Sequence, residues 1–200
     1  MSIINTLLES IFPERADAKA VRACTSEKLK QLVTRQHTDN VVSLLPYTDA
    51  IVRALIHETK FHHNERAVRL LGAILKDELK KYPASLVVPI PLSAKRRKQR
   101  GYNQIELLLK PIVRETGHVY APQYLKRTRD TAPQTSLNRT ARLHNLKDAF
   151  VVPEKYTEHI RGAHIIVVDD VTTTGATLKA ARATLAPHQP ASLTCVAVAH

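Results

Sequence analysis

The sequence predicts an α/β fold in which a mostly parallel open sheet is flanked by helices and preceded by an N-terminal helical appendage. Apolar, strand-like runs alternate with segments of helical periodicity, as expected when crossover helices connect parallel strands. The run Ile165–Val168 consists only of β-branched residues and is typical of a strand buried on both faces. The 200 residues, 44% of them hydrophobic, are enough for one substantial core.

The first 40 residues are predicted to form the helical appendage. An amphipathic helix is expected over Ser2–Phe12, where Pro13 ends it, and a second helix over Ala16–Leu32. The only cysteines are Cys24 and Cys195, so a single chain holds neither a disulfide framework nor a four-cysteine zinc site.

The main domain is predicted to cover residues 41–200. Its expected strands are Val41–Leu45, Leu86–Ile90, Val119–Leu125, Ile165–Val168 and Leu193–Ala199. Its expected helices lie between Thr48 and Phe61, over Glu65–Lys81, over Asn103–Glu115, at about Asn138–Leu146 and over Leu178–Leu185. Pro89 and Pro91 should confine the end of the second strand to a bulge or an edge.

The positive charge is concentrated in the middle of the chain. The net charge is +12, and the segment from Ser93 to Lys147 holds 13 Lys and Arg residues against three acids. This segment is expected to face an anion, and charge alone does not separate diphosphate from nucleic acid. The candidates for a diphosphate-binding loop are Lys95, Arg96, Arg97 and Arg100.

Two carboxylates, Asp169 and Asp170, end the β-branched strand. They are expected at its carboxyl end, where open α/β sheets bind ligands. Carboxylates accept hydrogen bonds and bind hard cations, so they suit the vicinal hydroxyls of a ribose or a magnesium ion.

A loop rich in threonine follows the two carboxylates and runs into a helix. Free N–H groups and the positive end of the helix dipole attract an anion there without any lysine in the loop. The predicted phosphate-binding residues are Thr172, Thr173, Thr174, Gly175, Ala176 and Thr177.

The stretch Ile165–Thr177 resembles the phosphoribosyl pyrophosphate (PRPP) motif of type I phosphoribosyltransferases. The resemblance implies the type I phosphoribosyltransferase fold. It also implies that Asp169 and Asp170 serve catalysis by holding the ribose or Mg²⁺ with PRPP, while the Thr/Gly loop holds the 5′-phosphate.

Further strings resemble the ComF (GntX-like) family of bacterial natural transformation. They are Leu45-Pro-Tyr, Leu55-Ile-His with Lys60-Phe, Val88-Pro-Ile-Pro-Leu, Arg100-Gly-Tyr-Asn-Gln, and Arg127-Thr-Arg-Asp-Thr with Pro133-Gln-Thr. The resemblance implies a role in DNA uptake during competence. The N-terminus lacks the basic region and continuous apolar segment of a signal peptide, so a cytoplasmic location is expected. Members commonly carry an N-terminal four-cysteine zinc ribbon, whereas Cys24 stands alone here, so no zinc is expected.

The segment from Arg127 to Arg142 is polar and broken by proline, which is typical of a long loop over a site. As a lid it would exclude water from the reacting centre. Its candidate contact residues are Arg127, Arg129, Gln134, Arg139 and Arg142.

Two functions stay open on the sequence alone. The first is a phosphoribosyltransferase whose acceptor no segment identifies. The second is an accessory protein that binds single-stranded DNA through the basic segment and Tyr102, Tyr120 and Tyr124, with a competence DNA helicase or translocase as a further partner.

No apolar run is long enough for membrane insertion. The adjacent His62 and His63 lack a third ligand at suitable spacing, so no metal is expected there.

Overall fold

A computed structural model describes residues 15–38, 40–128 and 149–200. The predicted helices over Ser2–Phe12 and at about Asn138–Leu146 lie outside these residues. Among the described residues, no helix combines the length and the apolar character needed to cross a membrane.

Helices and strands are interspersed along the described chain and alternate one by one from α7 to β8. The helices are α1 (Ala16–Ala23), α2 (Ser26–Gln31), α3 (Ala50–Phe61), α4 (Glu65–Leu79), α5 (Ala94–Arg100), α6 (Gln104–Val113), α7 (Thr157–Ile160) and α8 (Ala176–Leu185). The strands are β1 (Gln36–Thr38), β2 (Val41–Leu45), β3 (Leu86–Pro89), β4 (Val119–Tyr120), β5 (Lys126–Arg127), β6 (Phe150–Val151), β7 (His164–Val171) and β8 (Ser192–Ala199).

Six of these strands form one sheet in the order β1-β2-β8-β7-β3-β4. Every neighbouring pair in it is parallel except β1 with β2, and β5 and β6 form a separate antiparallel ribbon. The predicted α/β fold with a mostly parallel sheet is confirmed.

The sheet is covered on both faces, and alternate residues of its central strands enter different cores. In β7, Ile166 and Val168 belong to the core beneath α3, α4 and α6, while Ile165 and Val167 pack with α8. This double burial explains the continuous β-branched run. In a strand with one solvent-exposed face, apolar and polar residues would alternate.

The N-terminal segment differs from the single helix expected over Ala16–Leu32. It forms two helices, because the chain is extended at Cys24 and Thr25, where the Thr25 hydroxyl caps α2 by accepting the Lys28 N–H at 3.2 Å. Val21, Cys24 and Leu29 lie in the core shared with α3 and α4. The division at residue 40 stays a prediction.

Pro89 occupies an interior strand, where proline is normally excluded. It is tolerated because β4 pairs only with Leu86 and Val87, so β3 has no strand partner on that side at Pro89. On the other side, the Ile90 N–H still donates to the Val168 carbonyl at 2.8 Å. The expected strand Val119–Leu125 is correspondingly short, and a 3₁₀ turn at Pro122–Tyr124 follows it.

Glu78 on α4 is a buried carboxylate held by three neighbouring side chains. It accepts hydrogen bonds from the Arg35 guanidinium at 3.1 Å, the Lys81 ammonium at 2.6 Å and the Tyr82 hydroxyl at 2.8 Å. Burial alone would raise its pKa, but these partners together hold the pKa of Glu78 below its ordinary value. The stabilisation is therefore present above the ordinary carboxyl pKa and is lost as the pH falls through the depressed folded value.

We expect Glu78→Gln to lower the free energy of unfolding by about 1–3 kcal/mol near neutral pH. The difference from wild type should shrink as the pH falls through the folded pKa of Glu78. Urea unfolding at several pH values measures both effects, with Glu65→Gln as control because Glu65 is an exposed partner of Arg69 on the same helix. Equal losses for both variants would contradict the role given to Glu78.

Candidate functional site

The carboxyl ends of β3 and β7 define the candidate site. The two strands are parallel neighbours with Pro89 opposite Val168, so the segment after Ile90 and the acidic pair of Asp169 and Asp170 emerge side by side. A cavity of about 210 Å³ lies at this edge. The charged side chains that line it are Lys60, Arg96, Arg100, Arg127, Asp169 and Asp170.

Asp170 is buried and its carboxylate is fully engaged within the protein. Oδ2 accepts from the Lys60 ammonium at 2.9 Å and from the Gln104 amide, and Oδ1 accepts the Val171 N–H at 2.6 Å. Burial acts to raise its pKa, but the Lys60 ammonium and these hydrogen bonds keep the pKa of Asp170 below its ordinary value. Asp170 is thus an ionised group already paired with a cation.

Asp169 is less buried and has different surroundings. Its Oδ1 accepts the backbone N–H of Asp170 at 2.9 Å, and no other described residue hydrogen-bonds to its carboxylate. Burial, followed by the neighbouring Asp170 carboxylate, raises the pKa of Asp169 to about 7. Of the two adjacent acids, Asp169 is therefore the one with acceptor capacity left for a ligand.

The predicted basic residues separate into two groups, and they lie on a helix instead of the expected loop. Ser93 caps α5 by accepting the Arg96 N–H, and Gly101 ends the helix with a φ of 75°. Arg96 and Arg100 line the cavity. Lys95 and Arg97 do not, and Arg97 instead donates to Glu106 at 3.4 Å.

The threonine loop contributes to two cavities. Thr177 lines the cavity of the acidic pair, while Thr172, Thr173, Thr174 and Gly175 line a neighbouring cavity of about 340 Å³ with Lys179 and residues of β1 and β2. Gly175 has a φ of 71°, which an L side chain rarely adopts, and Ala176 begins α8 directly after it. No acidic residue occupies the first turn of α8, so its N-terminus can receive an anion.

Sequence reasoning missed the importance of Lys60 and Gln104. Lys60 stands in the Lys60-Phe string of the family resemblance, but nothing local connects it with Asp170, which follows 110 positions later. Gln104 stands in the Gly-Tyr-Asn-Gln string of the family resemblance, which was the available signal. In the same string, the Asn103 amide donates to the Ile90 carbonyl at 3.0 Å and fastens α6 to the end of β3.

Of the predicted lid residues, Arg127 is in β5 and reaches the cavity of the acidic pair. Arg129, Gln134, Arg139 and Arg142 lie outside the described residues. The lid stays a prediction.

The structure corrects two of the three expected stacking tyrosines. Tyr124 is buried and stacked on Tyr156, with ring centroids 4.7 Å apart. Tyr120 packs against the core beneath α3, α4 and α6. Tyr102 donates its hydroxyl to the Thr59 carbonyl at 2.9 Å and meets the His63 ring edge-on. Tyr120 and Tyr124 therefore offer no open surface for stacking a base.

The donor set at the acidic pair fits a magnesium ion that arrives with a phosphorylated ligand. Magnesium prefers oxygen ligands, keeps several waters and is usually bound through one or two carboxylates together with substrate phosphates. Asp169 offers an available carboxylate oxygen, whereas the Lys60 ammonium occupies Asp170. The protein alone thus supplies too few ligands for a tight site.

A second group of possible metal ligands lies at the end of α3. Ligand atoms of His57, Glu58 and His62 are within 4.8 Å of one another, a proximity the sequence spacing did not suggest. The Glu58 carboxylate is already held by the Arg15 guanidinium at 3.2 Å and the Asn64 amide at 2.9 Å. Its charge is compensated, which weakens the cluster as a cation site.

Comparison with known proteins identifies the family. The phosphoribosyl transferase domain family matches residues 114–200. The DNA utilization protein YhgH of Salmonella typhi is 32% identical over 145 residues, which cover 69% of this chain but only 62% of that relative. Competence protein F of Haemophilus influenzae is 30% identical over 159 residues, covering 72% of this chain and 69% of that protein.

The competence protein ComFC of Streptococcus pneumoniae is 34% identical over 115 residues, 55% of this chain and 46% of the relative. A Trypanosoma cruzi hypoxanthine phosphoribosyl transferase structure covers 72% of this chain and 63% of its own, at 15% identity and a TM-score of 0.40. The fold assignment rests on the sheet topology and the domain match. We conclude that this chain belongs to the ComF family and has its phosphoribosyltransferase-type fold.

Proposed function

We propose that this protein binds PRPP with Mg²⁺ and acts in the cytoplasm in DNA uptake during natural transformation. One observation carries the ligand proposal: Asp169, with its free acceptor capacity, faces the same cavity as the cations Arg96 and Arg100. A phosphoribosyl diphosphate has hydroxyl donors and a polyanion in one molecule and would match both. The role in DNA uptake is supported by the relatives named for competence and DNA utilization.

Each element of the site would serve one part of the ligand. Asp169 would accept hydrogen bonds from the ribose hydroxyls, and the loop Thr172–Thr177 would hold the 5′-phosphate at the start of α8. Arg96 and Arg100 would bind the diphosphate. When bound, Mg²⁺ would supply charge neutralisation on the diphosphate.

The reaction that such an arrangement would serve is phosphoribosyl transfer. The bond from the ribose carbon to diphosphate would break, and a bond to an acceptor nucleophile would form. The contribution of the protein would be mainly positioning and electrostatic stabilisation.

Ligand-dependent stabilisation tests the proposal. At a PRPP concentration about 100 times its dissociation constant, the free energy of unfolding should rise by about 2.7 kcal/mol. Thermal unfolding with PRPP, nucleotides and single-stranded DNA, each with and without Mg²⁺, measures the effect. No shift at millimolar PRPP with Mg²⁺ would contradict it.

A second candidate function, binding of single-stranded DNA, is favoured by Phe61. This ring at the end of α3 is 53% exposed, and the guanidinium of Arg100 lies 5.0 Å from its centroid. An exposed aromatic ring next to cations is the usual arrangement for stacking a base while holding its phosphate. A DNA helicase or translocase of the uptake machinery is the partner class that this function implies.

Phe61→Ala should weaken single-stranded DNA binding by about 1–3 kcal/mol, the usual range for loss of one stacked base. If about five phosphates are neutralised, the slope of log K against log salt should be about −3.5, and it should be unchanged in the variant. Fluorescence anisotropy at several salt concentrations measures both.

The matched control is Val119→Ala, because Val119 is also exposed but lies opposite Leu86 at the amino end of the parallel strands, away from the carboxyl ends that form the site. Equal affinity of wild type and Phe61→Ala would exclude the stacking role. Absence of any binding at low salt would remove the second function.

A further inference from the structure

Lys60 lies one residue before the end of α3 and reaches into the site at the end of β7. Its ammonium is 2.9 Å from Asp170 Oδ2, and its side chain is only 18% exposed, against 12% for Asp170. Gln104 donates to the same oxygen. The pair is therefore a largely desolvated contact between groups far apart in sequence.

Consecutive residues at the start of α6 hold this contact in place. Tyr102 donates to the Thr59 carbonyl, Asn103 to the Ile90 carbonyl and Gln104 to Asp170. These three bonds connect α6 to α3, to the end of β3 and to β7. The position of Lys60 relative to Asp170 is thus set by packing on three sides.

A cation that approached Asp170 would meet this ammonium. Like charges a few ångströms apart repel strongly where solvent is excluded, and the Lys60 ammonium already satisfies the carboxylate. Of the two adjacent carboxylates, only that of Asp169 is therefore left to meet a cation.

We propose that Lys60 is a built-in counter-cation of the acidic pair, which keeps Asp170 out of metal binding and leaves Asp169 as the metal-facing carboxylate. Divalent cations then bind the free protein weakly and enter the site together with ligand phosphates. The inference rests on the proposed function for the identity of that ligand, but the state of the acidic pair can be measured without it.

Binding of Mn²⁺ to the protein without PRPP tests the proposal, because Mn²⁺ takes the same oxygen ligands as Mg²⁺ and is visible by electron paramagnetic resonance. Lys60→Met should bind Mn²⁺ at least tenfold more tightly than wild type, since it exposes a second uncompensated carboxylate. Adding Asp170→Asn to Lys60→Met should abolish the gain. Lys98→Met, which removes a lysine that lines neither cavity, should leave Mn²⁺ affinity unchanged.

Unchanged Mn²⁺ affinity in Lys60→Met would overturn the proposal. Should that variant not fold, Lys60→Gln keeps a donor for Asp170 without the charge and is expected to show the same gain. Micromolar Mn²⁺ binding at the acidic pair of wild type, lost in Asp170→Asn, would overturn the proposal whatever the Lys60 variants do.

The outcomes separate this inference from the proposed function. If wild type does not bind PRPP while Lys60→Met gains Mn²⁺ affinity, the ligand assignment is wrong and the role of Lys60 stands. If PRPP binds with Mg²⁺ and Lys60→Met gains nothing, the ligand assignment stands and Lys60 is only a structural partner.

Discussion

Asp170→Asn is expected to lower the free energy of unfolding by about 3 kcal/mol. The substitution keeps the shape of the side chain but removes the partner of the Lys60 ammonium, which is only 18% exposed. Breaking a buried ion pair on one side costs more than the pair contributes, because the remaining charge stays desolvated. Urea unfolding near neutral pH measures the loss.

The matched control is Asp77→Asn on α4. Asp77 pairs with Lys30 at 3.9 Å, and both side chains are more than half exposed, so the expected change is close to zero. If Asp170→Asn is as stable as wild type, the Lys60–Asp170 pair does not have the structural role described above.

Asp169→Asn should have the opposite pattern: intact stability and at least a tenfold loss of PRPP affinity in the presence of Mg²⁺. Asn removes one of two adjacent negative charges, which does not harm the fold, because burial and the neighbouring Asp170 already disfavour the ionised form of Asp169. It also removes the acceptor proposed for ribose or Mg²⁺. Each lost charge-assisted contact is worth about 1.5–3 kcal/mol.

Isothermal titration calorimetry with PRPP and Mg²⁺, next to urea unfolding, separates the two adjacent aspartates. Asp77→Asn serves again as the control and should keep wild-type affinity. Wild-type PRPP affinity in Asp169→Asn would mean that this carboxylate does not contact the ligand.

The sequence was sufficient for the features that depend on local patterns. The β-branched run Ile165–Val168 indicated a central strand because burial on both faces removes the need for alternation. The acidic pair after it indicated the carboxyl edge of the sheet. The strand continues further than expected, since β7 includes Asp169 and Asp170 and ends at Val171, but its pairing with β3 stops at Val168. A capping side chain begins α3, α4 and α6, as with Asp49, which caps α3 by accepting the Ile51 N–H at 2.8 Å.

Features that depend on distant residues could not be predicted. The Lys60–Asp170 pair joins α3 to β7, and no spacing rule relates them. The short strand β1 pairs only with β2 and has no apolar alternation of its own. The split between α1 and α2 was missed because Cys24 and Thr25 interrupt an otherwise helical composition without a proline or a glycine.

The basic segment Lys95–Arg100 was predicted to be a loop, although the residues around it carry the signals of a helix. Ser93 and Gly101 are a helix cap and a helix stop at the right separation, and the structure has α5 between them. These two signals were overlooked because the run of basic residues suggested a diphosphate-binding loop. The consequence for the site is that Arg96 and Arg100 line the cavity while Lys95 and Arg97 do not.

The most direct test of the central claim is a calorimetric competition among PRPP, ribose 5-phosphate and diphosphate, all with Mg²⁺. If one site holds the sugar phosphate with Asp169 and the Thr172–Thr177 loop and the diphosphate with Arg96 and Arg100, PRPP should bind one to one. It should bind more tightly than either fragment, and each fragment should displace it. The absence of PRPP binding at millimolar concentration, or binding of either fragment that PRPP does not displace, would contradict a shared phosphoribosyl site.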